Sequence, residues 1–167
     1  MNSPQKPLII SFVGHSNSGK TGLITQLIPK IKEKGFRVGV IKHAGSPIVI
    51  DRQGKDSHRH FEAGADPTMV CTNQHLALFA RSRPNMGLAD IAQRFFYDTD
   101  ILLTEGYKQE AYPKIEVYVA SDTRKPLCLT DTQILAIVTN EKAQWHIPHF
   151  DCNDINGLVH WITAVMP

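Results

Sequence analysis

Hydrophobic positions along the chain fall into short blocks that alternate between two periods. Leu8–Val13 reads Leu-Ile-Ile-Ser-Phe-Val, a nearly continuous apolar run that suits a strand buried on both faces and is too short for a helix. Leu23, Ile24, Leu27, Ile28 and Ile31 then recur at spacings of three and four, which predicts an amphipathic helix stopped at Gly35. Pro29 lies inside that stretch and predicts a kink, because it has no N–H to donate to the Thr25 carbonyl. Phe36–Lys42 reads as a second strand, followed by a loop with Gly45, Pro47 and Gly54. Asp56-Ser57 is a good N-cap pair for a short helix ending near Gly64.

Farther on, Thr68–Thr72 and Leu76–Arg81 flank Asn73-Gln74-His75 and predict a hairpin or two short strands. Leu88, Ile91, Ala92, Phe95 and Phe96 trace another amphipathic helix. Ile101–Thr104, Lys114–Val119 and Ile134–Thr139 add three strands. A last helix from about Asp154 carries Ile155, Leu158, Val159, Ile162 and Val165 on one stripe. Strands separated by helices imply an α/β fold of right-handed βαβ units, a three-layer arrangement of a mostly parallel sheet with helices on both faces. No internal repeat or linker interrupts the pattern, so residues 1–167 are expected to form a single domain.

Composition narrows the function classes. The 167 residues are 42% hydrophobic and 20% charged with a net charge of +2, which lacks the basic excess of a duplex nucleic-acid binder. No apolar run approaches the roughly 20 residues of a membrane helix. Cys71, Cys128 and Cys152 are scattered and odd in number, which argues against a disulfide framework or a zinc site and fits a reduced cytoplasmic setting.

Gly14-His15-Ser16-Asn17-Ser18-Gly19-Lys20-Thr21 satisfies every specified position of G-x-x-x-x-G-K-[ST], between a predicted strand and a predicted helix. Glycines let successive backbone N–H groups turn toward phosphate oxygens, and the helix N-terminus adds its dipole. Lys20 supplies charge for the β- and γ-phosphates, and the Thr21 hydroxyl is a magnesium ligand. The nucleotide-contacting set is therefore Gly14, His15, Asn17, Ser18, Gly19, Lys20, Thr21 and Gly22, and the fold class becomes a P-loop NTPase.

Such a loop needs an acid at the carboxyl end of a neighbouring strand. Ile101–Thr104 is flanked by Asp100 and Glu105. In a parallel sheet Asp100 falls at the wrong end, roughly 16 Å away at ~3.3 Å per residue, so Glu105 is the magnesium and catalytic acid, beside Lys20. Asp56 is a further candidate for the metal, or a helix cap alone. Lys42 ends the second strand and reads as a second phosphate lysine or a surface lysine. Asn140, after Ile134–Thr139, sits where a base pocket forms, and an amide suits adenine or guanine equally. Tyr107-Lys108, directly after Glu105-Gly106, is a candidate for the substrate side of the cleft, where a pterin could stack on the ring. His58 and His60 point to different helix faces, and the spacing of His146 and His149 gives no zinc signature.

Three segments resemble the MobB family, molybdopterin-guanine dinucleotide biosynthesis protein B. They are Gly14–Thr21, then Lys42-His43 leading to Asp51-x-x-Gly54-Lys55-Asp56-Ser57-x-Arg59 and Ala63-Gly64-Ala65, then Leu103–Lys108, with Pro113–Glu116 added. One departure is Ala44-Gly45-Ser46, where family members carry further histidines. The resemblance implies a GTP-binding accessory protein with at most slow Mg2+-dependent GTP hydrolysis. Its partners would be a molybdopterin guanylyltransferase, molybdopterin itself and a second copy of the chain. It maps Lys20, Thr21, Lys42, Asp56, Glu105 and Asn140 to phosphate, magnesium and base. The alternative is an ATP-dependent small-molecule kinase or a ligase like dethiobiotin synthetase, for which the chain has little spare length.

Overall fold

The computed structural model describes residues 6–49, 51–84, 86–120 and 124–165. Two compact units emerge, Met1–His43 with Leu88–Pro167, and Ala44–Gly87.

The first unit is built on six parallel strands in the order β2-β5-β1-β6-β7-β8. They are β1 (Leu8–Val13), β2 (Val38–Lys42), β5 (Ile101–Glu105), β6 (Lys114–Tyr118), β7 (Ile134–Thr139) and β8 (His149–Phe150). Side chains alternate between two apolar layers, as the period of two requires. Ile10, Phe12, Ile101, Leu103, Ile115, Val117, Ala136 and Val138 face one layer. There they meet Leu23, Ile24, Leu27 and Ile31 of α1 (Lys20–Glu33) and Leu158, Val159 and Ile162 of α4 (Ile155–Ala164). On the opposite face Ile9 and Leu102 pack on Leu88 and Ala92 of α3 (Leu88–Phe95). The three-layer α/β arrangement expected from the pattern is therefore present.

Ser11 and Thr104 are register partners in β1 and β5 and lie fully buried. The Thr104 hydroxyl donates to Ser11 Oγ at 2.9 Å, which satisfies a polar pair inside the sheet. Several local expectations shift. Helix α1 runs through Pro29 without interruption, and β2 starts at Val38 rather than Phe36. The two-residue β8 and a 3₁₀ turn at Leu127–Leu129 have no counterpart in the hydrophobic pattern.

The second unit contains α2 (Asp56–Glu62) and an antiparallel pair, β3 (Thr68–Cys71) and β4 (Leu76–Phe79), which is the expected hairpin. Thr72 Oγ1 accepts from the N–H groups of Gln74 and His75 and shapes its turn. Asp56-Ser57 does not cap α2. Lys55 occupies the N-cap position with no side-chain cap bond, and the Ser57 hydroxyl donates to Asp51 Oδ2 instead. Arg81 stacks over the Phe61 ring at 4.0 Å and donates to the Phe61 carbonyl, tying β4 back to α2.

Candidate functional site

All six strands of the first unit point the same way, so their carboxyl ends form one edge. The loop after β1 turns there under tight constraint. Gly14 has φ +140°, and a Cβ at that position would collide with the Val117 carbonyl oxygen of β6. Only glycine lets β1 turn off beside β6 at this point. Asn17 and Gly19 follow in the left-handed region, at φ 65° and 91°. Gly19 is the N-cap of α1, with no side-chain cap bond and no acidic residue in the first turn. The first helical N–H groups of α1 thus lack the usual intramolecular acceptor, the condition under which a helix start receives an external anion.

Lys20 curls back over this loop. Its ammonium donates to the carbonyl of His15 at 2.6 Å, to Ser18 Oγ at 3.3 Å and to the carbonyl of Gly14 at 3.4 Å. Burial is the main cause that lowers the Lys20 pKa; Glu105 opposes it, and Lys108, Lys42 and Arg124 add to it.

Register brings the acid to the loop. Glu105 at the end of β5 pairs with Lys42 of β2 on one side and Phe12 of β1 on the other. Its carboxylate lies 3.1 Å from the Lys42 ammonium and accepts from the Thr21 hydroxyl at 2.8 Å. Thr21, Lys42 and Glu105 therefore converge beside Lys20. Asp100, at the opposite end of β5, is committed elsewhere: it accepts from the Arg37 backbone N–H at 2.7 Å and from its guanidinium. Those bonds hold the Asp100 carboxyl below its ordinary pKa.

A hydroxyl and a carboxylate 2.8 Å apart, with hard oxygen atoms only, suit Mg2+, which keeps several waters and takes one or two carboxylates plus phosphate oxygens. Among the described residues no cluster of three His, Cys, Asp or Glu forms a closed metal cage. Beyond Glu105, Gly106 and Tyr107 both adopt positive φ, and the Tyr107 ring tilts against His43 at 5.0 Å.

Asn140 leaves the end of β7, and its Oδ1 accepts from the Ala120 N–H at 2.9 Å. A cleft of about 490 Å³ opens there, lined by residues 139–144, His149 and Asp151. A larger one, about 700 Å³, lies at the amino ends of the strands around Leu8, Phe36 and Asp100, away from the loop.

The family described as MobB, Molybdopterin guanine dinucleotide synthesis protein B, matches residues 9–140. The chain belongs to the MobB family. The molybdopterin-guanine dinucleotide biosynthesis adapter protein of Haemophilus influenzae is 34% identical to it over 155 residues, covering 92% of this chain and 86% of the relative. Its Escherichia coli counterpart is 31% identical over 164 residues, covering 95% and 93%. A crystal structure of molybdopterin-guanine biosynthesis protein B superposes with a TM-score of 0.77 at 28% identity, covering 95% of this chain and 99% of the other. The crystal structure of Bacillus subtilis MobB gives 0.73 at 29%, covering 95% and 98%.

In this MobB-family chain Asp56 belongs to the second unit, where its side chain is exposed and 4.0 Å from the Arg59 guanidinium. Sequence reasoning missed two buried charges on β6. Lys114 donates to Asp131 and Gln133 at 2.9 Å each. Glu116, fully buried, accepts from the N–H groups of Leu127 and Cys128 at 2.7 and 2.8 Å. Pro113-Lys114-Ile115-Glu116 stands out in the family resemblance, which was the available signal.

Proposed function

We propose that this chain is a GTP-binding adapter in the assembly of molybdopterin guanine dinucleotide, acting beside the guanylyltransferase that joins GMP to molybdopterin. The observation that carries this reading is the meeting of Thr21, Lys42 and Glu105 next to the Gly14–Thr21 loop. Lys20 and Lys42 would neutralise phosphate charge, while the backbone of Asn17–Gly22 would receive the phosphate oxygens. Thr21 and Glu105 would hold Mg2+, which supplies charge stabilisation at the phosphates. Hydrolysis would be slow at most, as the family resemblance implies.

The Asn140 geometry supports guanine. With one lone pair of Oδ1 taken by the Ala120 N–H, the amide presents chiefly its N–H donors. Guanine offers acceptors at O6 and N7, whereas adenine offers a donor at N6 that would face another donor. The adapter names of the Haemophilus influenzae and Escherichia coli relatives support the pathway assignment. A homodimer and direct molybdopterin contact belong to the same proposal. Exposed Ile48, Val49, Met69, Val70 and Leu76 in the second unit give the dimer an apolar surface to cover. No described helix is long and apolar enough to cross a membrane, and the cytoplasm is the proposed location.

Titration calorimetry with GTP and ATP in the presence of Mg2+ tests the reading. GTP should bind more tightly than ATP, and Lys20→Ala should abolish binding while leaving the circular dichroism spectrum unchanged. Preference for ATP together with a phosphorylated small-molecule product would instead establish the kinase or ligase alternative.

A further inference from the structure

The two oxygens of the Glu105 carboxylate have different partners. Oε1 faces the Lys42 ammonium at 3.1 Å, and Oε2 accepts from the Thr21 hydroxyl at 2.8 Å. The backbone fixes both ends of this arrangement. Lys42 and Glu105 are register partners in β2 and β5, and the Glu105 carbonyl accepts from the His43 N–H at 2.9 Å. On the other side the Gly106 N–H donates to the Phe12 carbonyl of β1 at 3.1 Å. The Glu105 side chain is 15% exposed and has little room to turn, whereas that of Lys42 is 60% exposed. Lys20 donates instead to the carbonyls of Gly14 and His15 and to Ser18 Oγ. The strand register, not the phosphate loop, therefore supplies the ammonium that meets this carboxylate.

Thr21 Oγ1 and Glu105 Oε2, 2.8 Å apart, already have the separation of neighbouring ligands on a Mg2+ octahedron, about 2.9 Å for metal–oxygen bonds of about 2.0–2.1 Å. With Oε1 held by Lys42, Glu105 has one oxygen to give to that edge. Ca2+ makes different demands. It binds oxygen at about 2.3–2.6 Å, takes about six to eight ligands and accepts a carboxylate through both oxygens. We propose that Lys42 is a positioning residue that sets metal selectivity: by holding Oε1 it confines Glu105 to coordination through Oε2 and favours Mg2+ over Ca2+. An ammonium carries several N–H donors, so the bond to Glu105 leaves others for a phosphate oxygen. The inference rests on the nucleotide reading above. What carries it is the division of the two partners between the two carboxylate oxygens, which a phosphate role for Lys42 does not require.

The test is GTP affinity of the full chain by calorimetry, measured once in saturating Mg2+ and once in saturating Ca2+. The two ions carry the same charge, so the ratio of the two affinities cancels the general effect of removing a positive charge near the phosphates. Lys42→Met should lower the Mg2+-to-Ca2+ ratio by about fivefold or more, the size expected when a charged hydrogen bond is lost and the freed oxygen turns to the larger ion. Lys42→Arg, whose guanidinium still donates to Oε1, should keep the ratio within about twofold of wild type. Thermal midpoints near the wild-type value, expected for so exposed a side chain, show that the fold is kept. An equal fall of both affinities in Lys42→Met, with the ratio unchanged, overturns the proposal and leaves Lys42 as a phosphate lysine alone. So does a ratio in Lys42→Arg as low as that in Lys42→Met. Failure of the underlying reading looks different: Lys20→Ala would then bind GTP as tightly as wild type with either metal.

Discussion

Replacing Glu116 by Gln leaves the side-chain volume nearly unchanged and tests what holds the Leu127–Leu129 turn in place. The carboxylate is fully buried and accepts two backbone N–H groups, one on each oxygen, at 2.7 and 2.8 Å. Hydrogen bonds to a charged acceptor contribute about 1.5–3 kcal/mol each. Gln keeps one acceptor, which falls to about 1 kcal/mol as a neutral bond. Its NH2 group then faces the second backbone N–H, which is left buried without a partner at a cost of about 1–3 kcal/mol. Removing a buried charge recovers part of this, because a carboxylate is expensive to desolvate. The balance is a loss of about 2–4 kcal/mol, or a drop in melting temperature of roughly 4–16 °C for a chain of this size.

A second readout is built into the same turn. The Cys128 thiol is pushed up to about 12 by burial first, then by the charge and hydrogen bond of Glu116. In Glu116→Gln the burial remains and the Glu116 contribution goes, so the thiolate becomes more accessible. Alkylation of Cys128 near pH 8.5 should therefore run faster than in wild type. Urea denaturation and timed labelling with a thiol reagent, read by mass spectrometry, measure both effects. A midpoint equal to wild type with unaltered labelling of Cys128 would refute the claim that the carboxylate holds this turn.

Two further outcomes follow from other parts of the fold. Gly14→Ala should cost about 3 kcal/mol or more, since it combines a positive φ with a collision against the Val117 carbonyl; a thermal midpoint within 2 °C of wild type would contradict that geometry. Asp100 has a depressed folded pKa, chiefly from its hydrogen bond to Arg37, so its contribution is present above the unfolded carboxyl value and lost as pH falls through the folded one. The stability advantage of wild type over Asp100→Asn should be full at pH 7 and shrink below about pH 4, and an advantage constant down to pH 2 would exclude the Arg37 pair as its source.

What the sequence exposed, and what it hid, divides by how far apart the interacting groups lie along the chain. The phosphate loop was legible because its constraints are local: Gly14, Gly19, Lys20 and Thr21 act within eight residues, between an apolar strand and a periodic helix. The choice of Glu105 over Asp100 needed only one further premise, a parallel sheet, and the register of β2, β5 and β1 sets Glu105 beside Lys42 and Phe12. Lys42 remained undecided between phosphate lysine and surface lysine because its partner arrives 63 residues later, through β2–β5 register. Lys114 and Glu116 show the limit most clearly. A Lys-Ile-Glu alternation carries no sign of burial, yet both ends are buried. Their partners, Asp131, Gln133 and the N–H groups of Leu127 and Cys128, return from a loop and a 3₁₀ turn that have no hydrophobic period. Burying those charges is costly unless each is matched, so the loop has to return to the same place. The two charges on β6 therefore hold the Leu127–Leu129 turn and the loop at Asp131 and Gln133 in place, a constraint invisible to any window of residues shorter than the β6–β7 connection itself.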